Sequence, residues 1–280
     1  MNAFRQHIGG AIIAGTVAAF AVPAHAADSS PWAQDSRAAM RLIAGTNQKG
    51  ADRLRAGVEL RLAPGWHTYW RYPGDSGIPP RFDFSGSQNL ADAMISYPAP
   101  QLLTDEAGNS LGYDKDVIFP VLVTPKDASR PVRLHVAVDY AICEKLCVPA
   151  KGAAELTLTA GASASDRALA AAEARVPRSA SAAEMGLSVR RLPAAGGQKA
   201  RVLVDVAVPP GKRVALFAEG PTPEWALPVP QPVDGAPAGH QRFSFELDGL
   251  PPGSNARGRI PLVLTLIEGA RAFEVQTHLD

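Results

Sequence analysis

The chain has 280 residues, with 28 lysines and arginines against 27 aspartates and glutamates, a formal charge of +1. That balance offers no electrostatic case for nucleic acid or anionic lipid as a partner. At this length, with 46% hydrophobic residues, the chain can bury two ordinary cores, and neither needs its single pair of cysteines in order to fold.

The first element in chain order is a leader. Arg5 precedes an apolar run from Ile8 to Val22, and Ala24-His25-Ala26 supplies a small-x-small site, so residues 1–26 read as a cleaved signal peptide. Its removal takes away Arg5 and no acid, leaving 27 basic against 27 acidic residues. No later apolar stretch reaches the roughly 18 residues that a helix needs to cross a bilayer. The mature chain is therefore expected to be exported and soluble, without direct membrane insertion.

Short alternating runs separated by Gly, Pro, Asn and Asp follow, a pattern of β-sandwiches rather than of strands joined by helices. Strands are predicted over Met40 to Ala44, Leu54 to Leu62, Trp66 to Tyr72, Val117 to Val123, Val132 to Ile142 and Ala154 to Leu158. Ala63-Pro64-Gly65, Pro73-Gly74-Asp75 and Pro125-Lys126-Asp127 mark turns between them. These strands make a first domain over 27–160. A linker over 161–184 carries one short helix, Ser165 to Arg175, Ala-rich, opened by Ser-Asp and closed before Val176-Pro177.

A second domain over 185–280 is predicted from strands at Leu187 to Leu192, Ala200 to Val208, Arg213 to Ala218, Gln241 to Leu247, Ile260 to Ile267 and Ala272 to Leu279. Val202, Val204, Val206 and Val208 alternate, as do Phe273, Val275, Thr277 and Leu279, so each strand can bury one face. Pro221 to His240 reads as a long loop. No chemical motif marks this domain, and its expected role is packing or docking.

The informative segment is Asp139-Tyr140-Ala141-Ile142-Cys143-Glu144-Lys145-Leu146-Cys147-Val148-Pro149. In an exported protein the only two cysteines are expected to pair with each other. Alternation along the preceding strand puts Val132, Leu134, Val136, Val138, Tyr140 and Ile142 on one face and Cys143 on the other, which predicts a reachable Cys143. As a staple the bridge would do little, because closing a loop of about five residues removes only about 2 kcal/mol of unfolded-state entropy. Exposed disulfides tend to be the labile or catalytic ones. No helix N-terminus lowers the thiol pKa here; Lys145 favours a thiolate, and Glu144 and Asp139 oppose it. Either cysteine can be the attacked sulfur; the preferred assignment has Cys147 form the mixed disulfide and Cys143 resolve it.

A second cluster is Gly65-Trp66-His67-Thr68-Tyr69-Trp70-Arg71-Tyr72-Pro73-Gly74. On a strand His67, Tyr69 and Arg71 share one face, and Trp66, Thr68, Trp70 and Tyr72 share the other. Trp66 and Trp70 read as core, whereas His67 and Tyr69 can flank the cysteines as a proton acceptor and an aromatic wall.

From Leu54 to Leu158 the text resembles the N-terminal periplasmic domain of the thiol:disulfide interchange protein DsbD and, more closely, that of the suppressor-of-copper-sensitivity protein ScsB. The resemblance is carried by Gly65-Trp66-His67-Thr68-Tyr69-Trp70-Arg71, Pro73-Gly74-Asp75-Ser76-Gly77-Ile78-Pro79-Pro80, Gly112-Tyr113 and Asp139 through Ala150. It implies an immunoglobulin-like sandwich. With the residue reading, the expected fold is all-β: two immunoglobulin-like β-sandwich domains joined by a short helical linker after a cleaved signal peptide.

The resemblance also implies a periplasmic location, a membrane-embedded DsbD/ScsB-like electron donor and thioredoxin-fold partners; no cofactor and no metal site is assigned from the sequence, and copper enters only through the copper-tolerance association of the relatives. It implies a loop shielding the cysteines, matched by Thr104 to Tyr113, and it aligns Tyr69 with a family tyrosine and His67 with a second one. Where the DsbD pattern has an acidic pair followed by an aromatic residue, this chain has Asp105-Glu106-Ala107-Gly108. DsbD-like proteins continue into a membrane domain and a Cys-x-x-Cys domain; neither precedes Asp280, so either a separately encoded donor or another route is expected, with the direction of electron flow open.

The sequence thus predicts a thiol-disulfide oxidoreductase working through Cys143 and Cys147, supported by Tyr69, His67, Asp105, Glu106, Tyr113, Asp139, Tyr140 and Lys145. Two other readings remain open. One is a docking sandwich with a structural disulfide. The other is Cu(I) handling by the thiols with His67 or His135, for which four methionines and no His-rich tract give little support.

Overall fold

In the computed structural model the described residues are 27–279, apart from 35–36, 75–76, 106–107, 223–224, 226 and 252–258. The leader at 1–26, Glu106 and the side chain of Asp105 fall outside the described set. The chain is all-β with one short helix.

Eleven strands come first: β1 (Ala33–Gln34), β2 (Ala38–Ala44), β3 (Leu54–Leu62), β4 (His67–Gly74), β5 (Arg81–Asp83), β6 (Leu90–Ile95), β7 (Gln101–Asp105), β8 (Gly108–Tyr113), β9 (Val117–Pro125), β10 (Val132–Cys143) and β11 (Cys147–Leu158). They form two sheets, ordered β1-β2-β3-β9-β6 and β11-β10-β4-β8-β7, with β5 also on β10. β11 is therefore an outer strand. The predicted strands at Leu54 to Leu62 and Val132 to Ile142 recur as β3 and β10 because their alternation is unbroken: Val132, Leu134, Val136, Val138, Tyr140 and Ile142 are all buried. Burying each such side chain contributes about 1.5–3 kcal/mol, so this one face outweighs anything a five-residue disulfide loop can add. Trp70, Phe119, Met40 and Leu42 fill the space between the sheets.

The helix α1 (Asp166–Glu173) lies within the predicted one, and it is docked on the first sheet. Leu169 is fully buried, and Arg55 of β3 donates to Asp166 (2.6 Å) and, through Nε and Nη2, to Glu173 (2.9 and 2.7 Å). Asp166 also accepts the Thr46 amide, which, ahead of Arg55, holds its carboxyl below the usual range.

Eight further strands follow: β12 (Arg178–Ser179), β13 (Ser188–Leu192), β14 (Ala200–Ala207), β15 (Ala215–Glu219), β16 (Gln231–Val233), β17 (His240–Leu247), β18 (Ile260–Glu268) and β19 (Arg271–Leu279). Their two sheets are ordered β12-β19-β18-β15 and β13-β14-β17-β16. Val202, Val204 and Val206 are buried as their alternation predicts, whereas in β19 it is Val275 and Leu279 that are buried and Phe273 and Thr277 are only half-covered.

Buried side chains of both halves form one continuous cluster rather than two separate ones. Trp70 and Phe217 meet across it, with ring centroids 6.5 Å apart. The stretch predicted as a loop from Pro221 to His240 contains β16, and it buries Trp225, Leu227 and Val229.

Candidate functional site

Cys143 ends β10 and Cys147 begins β11. The hairpin ladder runs without a shift from Val132↔Leu158 to Cys143↔Cys147, so the two cysteines face each other on the same side of the sheet. They form a disulfide with the Cα atoms 4.1 Å apart, joined by the exposed turn Glu144-Lys145-Leu146.

On the other side of β10 lies the start of β4, with Cys143 opposite His67 and Ile142 opposite Thr68. The buried Thr68 hydroxyl donates to the Ala141 carbonyl at 2.8 Å and pins this crossing. Alternation then sends Thr68 and Trp70 into the core and His67 and Tyr69 to the sulfur side. The Tyr69 hydroxyl lies 2.7 Å from Cys143 Sγ and 3.0 Å from Cys147 Sγ. Sulfurs in a disulfide carry no hydrogen, so the hydroxyl is the donor. The His67 ring meets the Tyr69 ring edge-on, with centroids 5.5 Å apart.

This corrects one expectation. Cys143 does lie on the outward face, but it is not reachable: Tyr69, Ala141 and Cys143 make a small buried cluster of their own, and Cys143 is only 2% exposed. Cys147 is exposed, and Leu146 beside it is 74% exposed. The bond therefore presents one sulfur to solvent and hides the other.

Two glycines of the motif text make the cover possible. A Cβ on Gly77, whose φ is +128°, would stand 2.5 Å from two carbons of the Tyr69 ring. On Gly112 it would stand 2.1 Å from the Thr68 carbonyl oxygen, so only glycine lets β8 close on β4 there.

The other expected supporting residues are scattered. Tyr113 is in the main core, donating to the Pro98 carbonyl at 2.7 Å, and burial pushes its phenol well above the usual pKa. Tyr140 is also a core residue. Asp139 is exposed and paired with Lys151 at 2.8 Å, four residues from Cys143, or about 13 Å along a strand. Lys145 sits at the tip. His135 bonds the Ser85 carbonyl at 2.8 Å, eight residues up β10, which separates it from the thiols in the copper reading.

The expected shielding loop is the β7–β8 hairpin, paired to β4 through β8, with the Thr104 hydroxyl donating to Asn109 Oδ1 at 2.9 Å. Among the described residues the cover over Cys143 is Tyr69. Gly108-Asn109-Ser110-Leu111-Gly112 in this hairpin also fits the Gly-x-Ser-x-Gly pattern. A hydrolase would need it at a strand-to-helix elbow with an exposed hydroxyl; here it is a strand with Ser110 buried.

The sequence reading passed over Arg71 and Tyr72. Arg71 donates to the buried Glu219 at 2.8 and 2.6 Å and to Glu274 at 2.5 Å. Burial works to lower the arginine's pKa, but the two carboxylates more than offset it, and the net direction is upward. Burial likewise holds Glu219 above the usual carboxylate range despite Arg71. The Tyr72 hydroxyl donates to the Trp225 carbonyl at 2.5 Å and accepts the Leu227 amide at 2.7 Å. Arg71 shares the His67 and Tyr69 face, which was the available signal.

Residues 35–159 match the family described as thiol:disulfide interchange protein DsbD, N-terminal. Among solved structures, the N-terminal periplasmic domain of ScsB from Proteus mirabilis matches with a TM-score of 0.69 at 20% identity, over 90% of this chain and 98% of that one. None of the curated proteins matches. The family match contains the whole cysteine hairpin, and the structural likeness extends into both halves of the fold.

Proposed function

We propose, from the match of residues 35–159 to the DsbD N-terminal family and the likeness in fold to the ScsB domain, that the chain is an exported thiol-disulfide exchange protein working through Cys143 and Cys147. One observation carries the reading. The disulfide stands at a hairpin tip with Cys147 exposed, Cys143 buried, and a tyrosine hydroxyl donating to both sulfurs.

The chemistry follows from that asymmetry. A partner thiolate attacks the exposed Cys147 Sγ; the bond between the cysteines breaks, and Cys143 leaves as a thiolate. Tyr69 is already placed to donate to that sulfur as charge develops, which lowers the cost of expelling it. The partner's second thiol then attacks the mixed disulfide and releases Cys147. The partner is oxidised to a disulfide, and this pair takes up two electrons and two protons. Run in reverse, the Cys147 thiolate attacks a partner disulfide and Cys143 resolves the intermediate.

His67, edge-on to Tyr69, is the neighbouring proton acceptor in this scheme. A membrane-embedded donor and thioredoxin-fold acceptors in the periplasm suit the family, and the second pair of sheets packs on the first through one shared core. Equilibration with dithiothreitol or glutathione buffers tests the reading. The expected result is a potential above about −300 mV and mixed disulfides through Cys147 in a Cys143→Ser variant; a far lower potential with no mixed disulfide would mark an inert bridge.

A further inference from the structure

Strand β4 has two ends with different supports. Its first residues are laddered on both sides: Thr68 pairs with Ile142 and Tyr113, and Tyr69 pairs with Gly112. The register to β8 then shifts and resumes only at Gly74, while β10 turns to β5 at 137–139. Between Tyr69 and Gly74 the strand is held by side chains instead, and Trp70, Arg71 and Tyr72 all reach the second half of the chain, Trp70 through Phe217. Arg71 is gripped by Glu219 of β15 and Glu274 of β19, and Tyr72 by the backbone of Trp225 and Leu227. Arg71 lies two residues from Tyr69 with its guanidinium 4.6 Å from the ring centroid of the intervening Trp70, so where Arg71 is held bears on the short piece of strand that carries Tyr69.

We infer that the second pair of sheets is a clamp for the redox site: Glu219 and Glu274 hold Arg71, and Arg71 holds Tyr69 over Cys143. Arg71 is a positioning residue, with no contact of its own to sulfur among the described residues. The planar guanidinium suits the role, since it engages Glu219 with two parallel hydrogen bonds and fixes an orientation as well as a distance. Among the described residues Arg71 is the cation paired with the buried Glu219, so losing Arg71 strands a carboxylate in the interface. The inference gives the second half a task in the exchange reaction and rests on that reading for its biological meaning; the geometry of the clamp can be tested apart from it.

The test is a double-mutant cycle read by alkylation of the buried sulfur. In the full chain carrying Cys147→Ser, Cys143 is the only thiol, and its reaction rate with iodoacetamide measures how well Tyr69 covers it. Arg71→Met is expected to raise that rate about tenfold, the scale of losing one or two charge-assisted hydrogen bonds, and Arg71→Lys by less. In a Tyr69→Ala background, where the cover is already gone, Arg71→Met should add nothing. Glu219→Gln, isosteric and suited to keeping the fold, should show the same dependence on Tyr69. An unchanged rate, or an equal increase with and without Tyr69, would overturn the clamp, because a general loosening of the fold does not need Tyr69 to be expressed. Failure of the wild-type pair to exchange with dithiothreitol would instead sink the functional reading and leave this cycle interpretable.

Discussion

Two regular hairpins in this protein end in different ways. The β18–β19 hairpin is laddered from Ile260↔Leu279 to Glu268↔Arg271 and turns in two residues, Gly269 at φ +60° and Ala270, with Glu268 and Arg271 ion-paired across the end. The β10–β11 hairpin is as long and as regular, yet it turns in three residues without a glycine, exposes a leucine and carries a covalent bond across its last pair. A turn closed by an exposed ion pair worth about 0.2–1 kcal/mol is evidently enough to end a hairpin here. A disulfide worth about 2 kcal/mol of loop closure exceeds what the turn needs, and it sits where a second protein can reach it. The contrast favours the proposed reading, in which the bond serves exchange before stability.

The largest effect that could break this comparison is removal of the bond. Cys147→Ser should abolish exchange with any dithiol partner while lowering unfolding free energy by no more than about 2 kcal/mol in urea titrations. A stability loss several times larger with exchange retained by Cys143 alone would make the bridge structural. Next comes Tyr69→Phe, which keeps the ring over Cys143 but removes the donor to both sulfurs. Disulfide reduction by dithiothreitol should slow about tenfold, the scale of one hydrogen bond to a developing charge, with little change in melting.

Acid probes a contact that owes nothing to the disulfide. Arg242, donating two hydrogen bonds, holds the Asp205 carboxyl below the usual range. A depressed native pKa means this pair stabilises the fold above the ordinary aspartate range and is lost as pH falls through the lower native value. The disulfide has no such dependence. The midpoint of denaturation should thus drop on acidification in the wild type and less so in Asp205→Asn. The smallest effects are at the tips: Leu146→Ser and Ala270→Ser should each change stability by under about 0.5 kcal/mol. Only Leu146→Ser should slow exchange with a protein partner, since Leu146 borders the exposed sulfur and Ala270 lies at the other turn.

The strands that the sequence makes legible are those whose burial is decided by their own alternation, such as β3, β10 and β14. β7 and β8 escaped because Gln101 to Tyr113 mixes Thr, Asp, Asn and Ser without a period of two, and they are strands because Gly112 allows close pairing with β4. β16 was hidden among prolines. At the site, the pairing of the cysteines and the side on which Tyr69 stands were readable from spacing. The burial of Cys143 was not: its cover comes from a residue 74 positions earlier, backed by Gly77. Tyr113, Tyr140 and Asp139 were assigned by resemblance and closeness in sequence, whereas the sheet sends them into the core or up the strand. Arg71 was missed because its partners lie 148 and 203 residues away.

β11 lies at the rim of its sheet, and the spacing of the cysteines fixes what that rim offers. A Cα separation of 4.1 Å marks Cys143 and Cys147 as a non-hydrogen-bonded pair, so the amide and carbonyl of Cys147 point outward, and those of every second residue after it do too. Two positions on stands Pro149, which has no amide hydrogen to give. An incoming chain is offered main-chain bonding beside the sulfur and denied a continuous ladder along the strand. Under the proposed exchange reaction, a visiting chain would be held beside the sulfur without being recruited as an additional strand, which keeps a repeatedly touched surface from seeding aggregates.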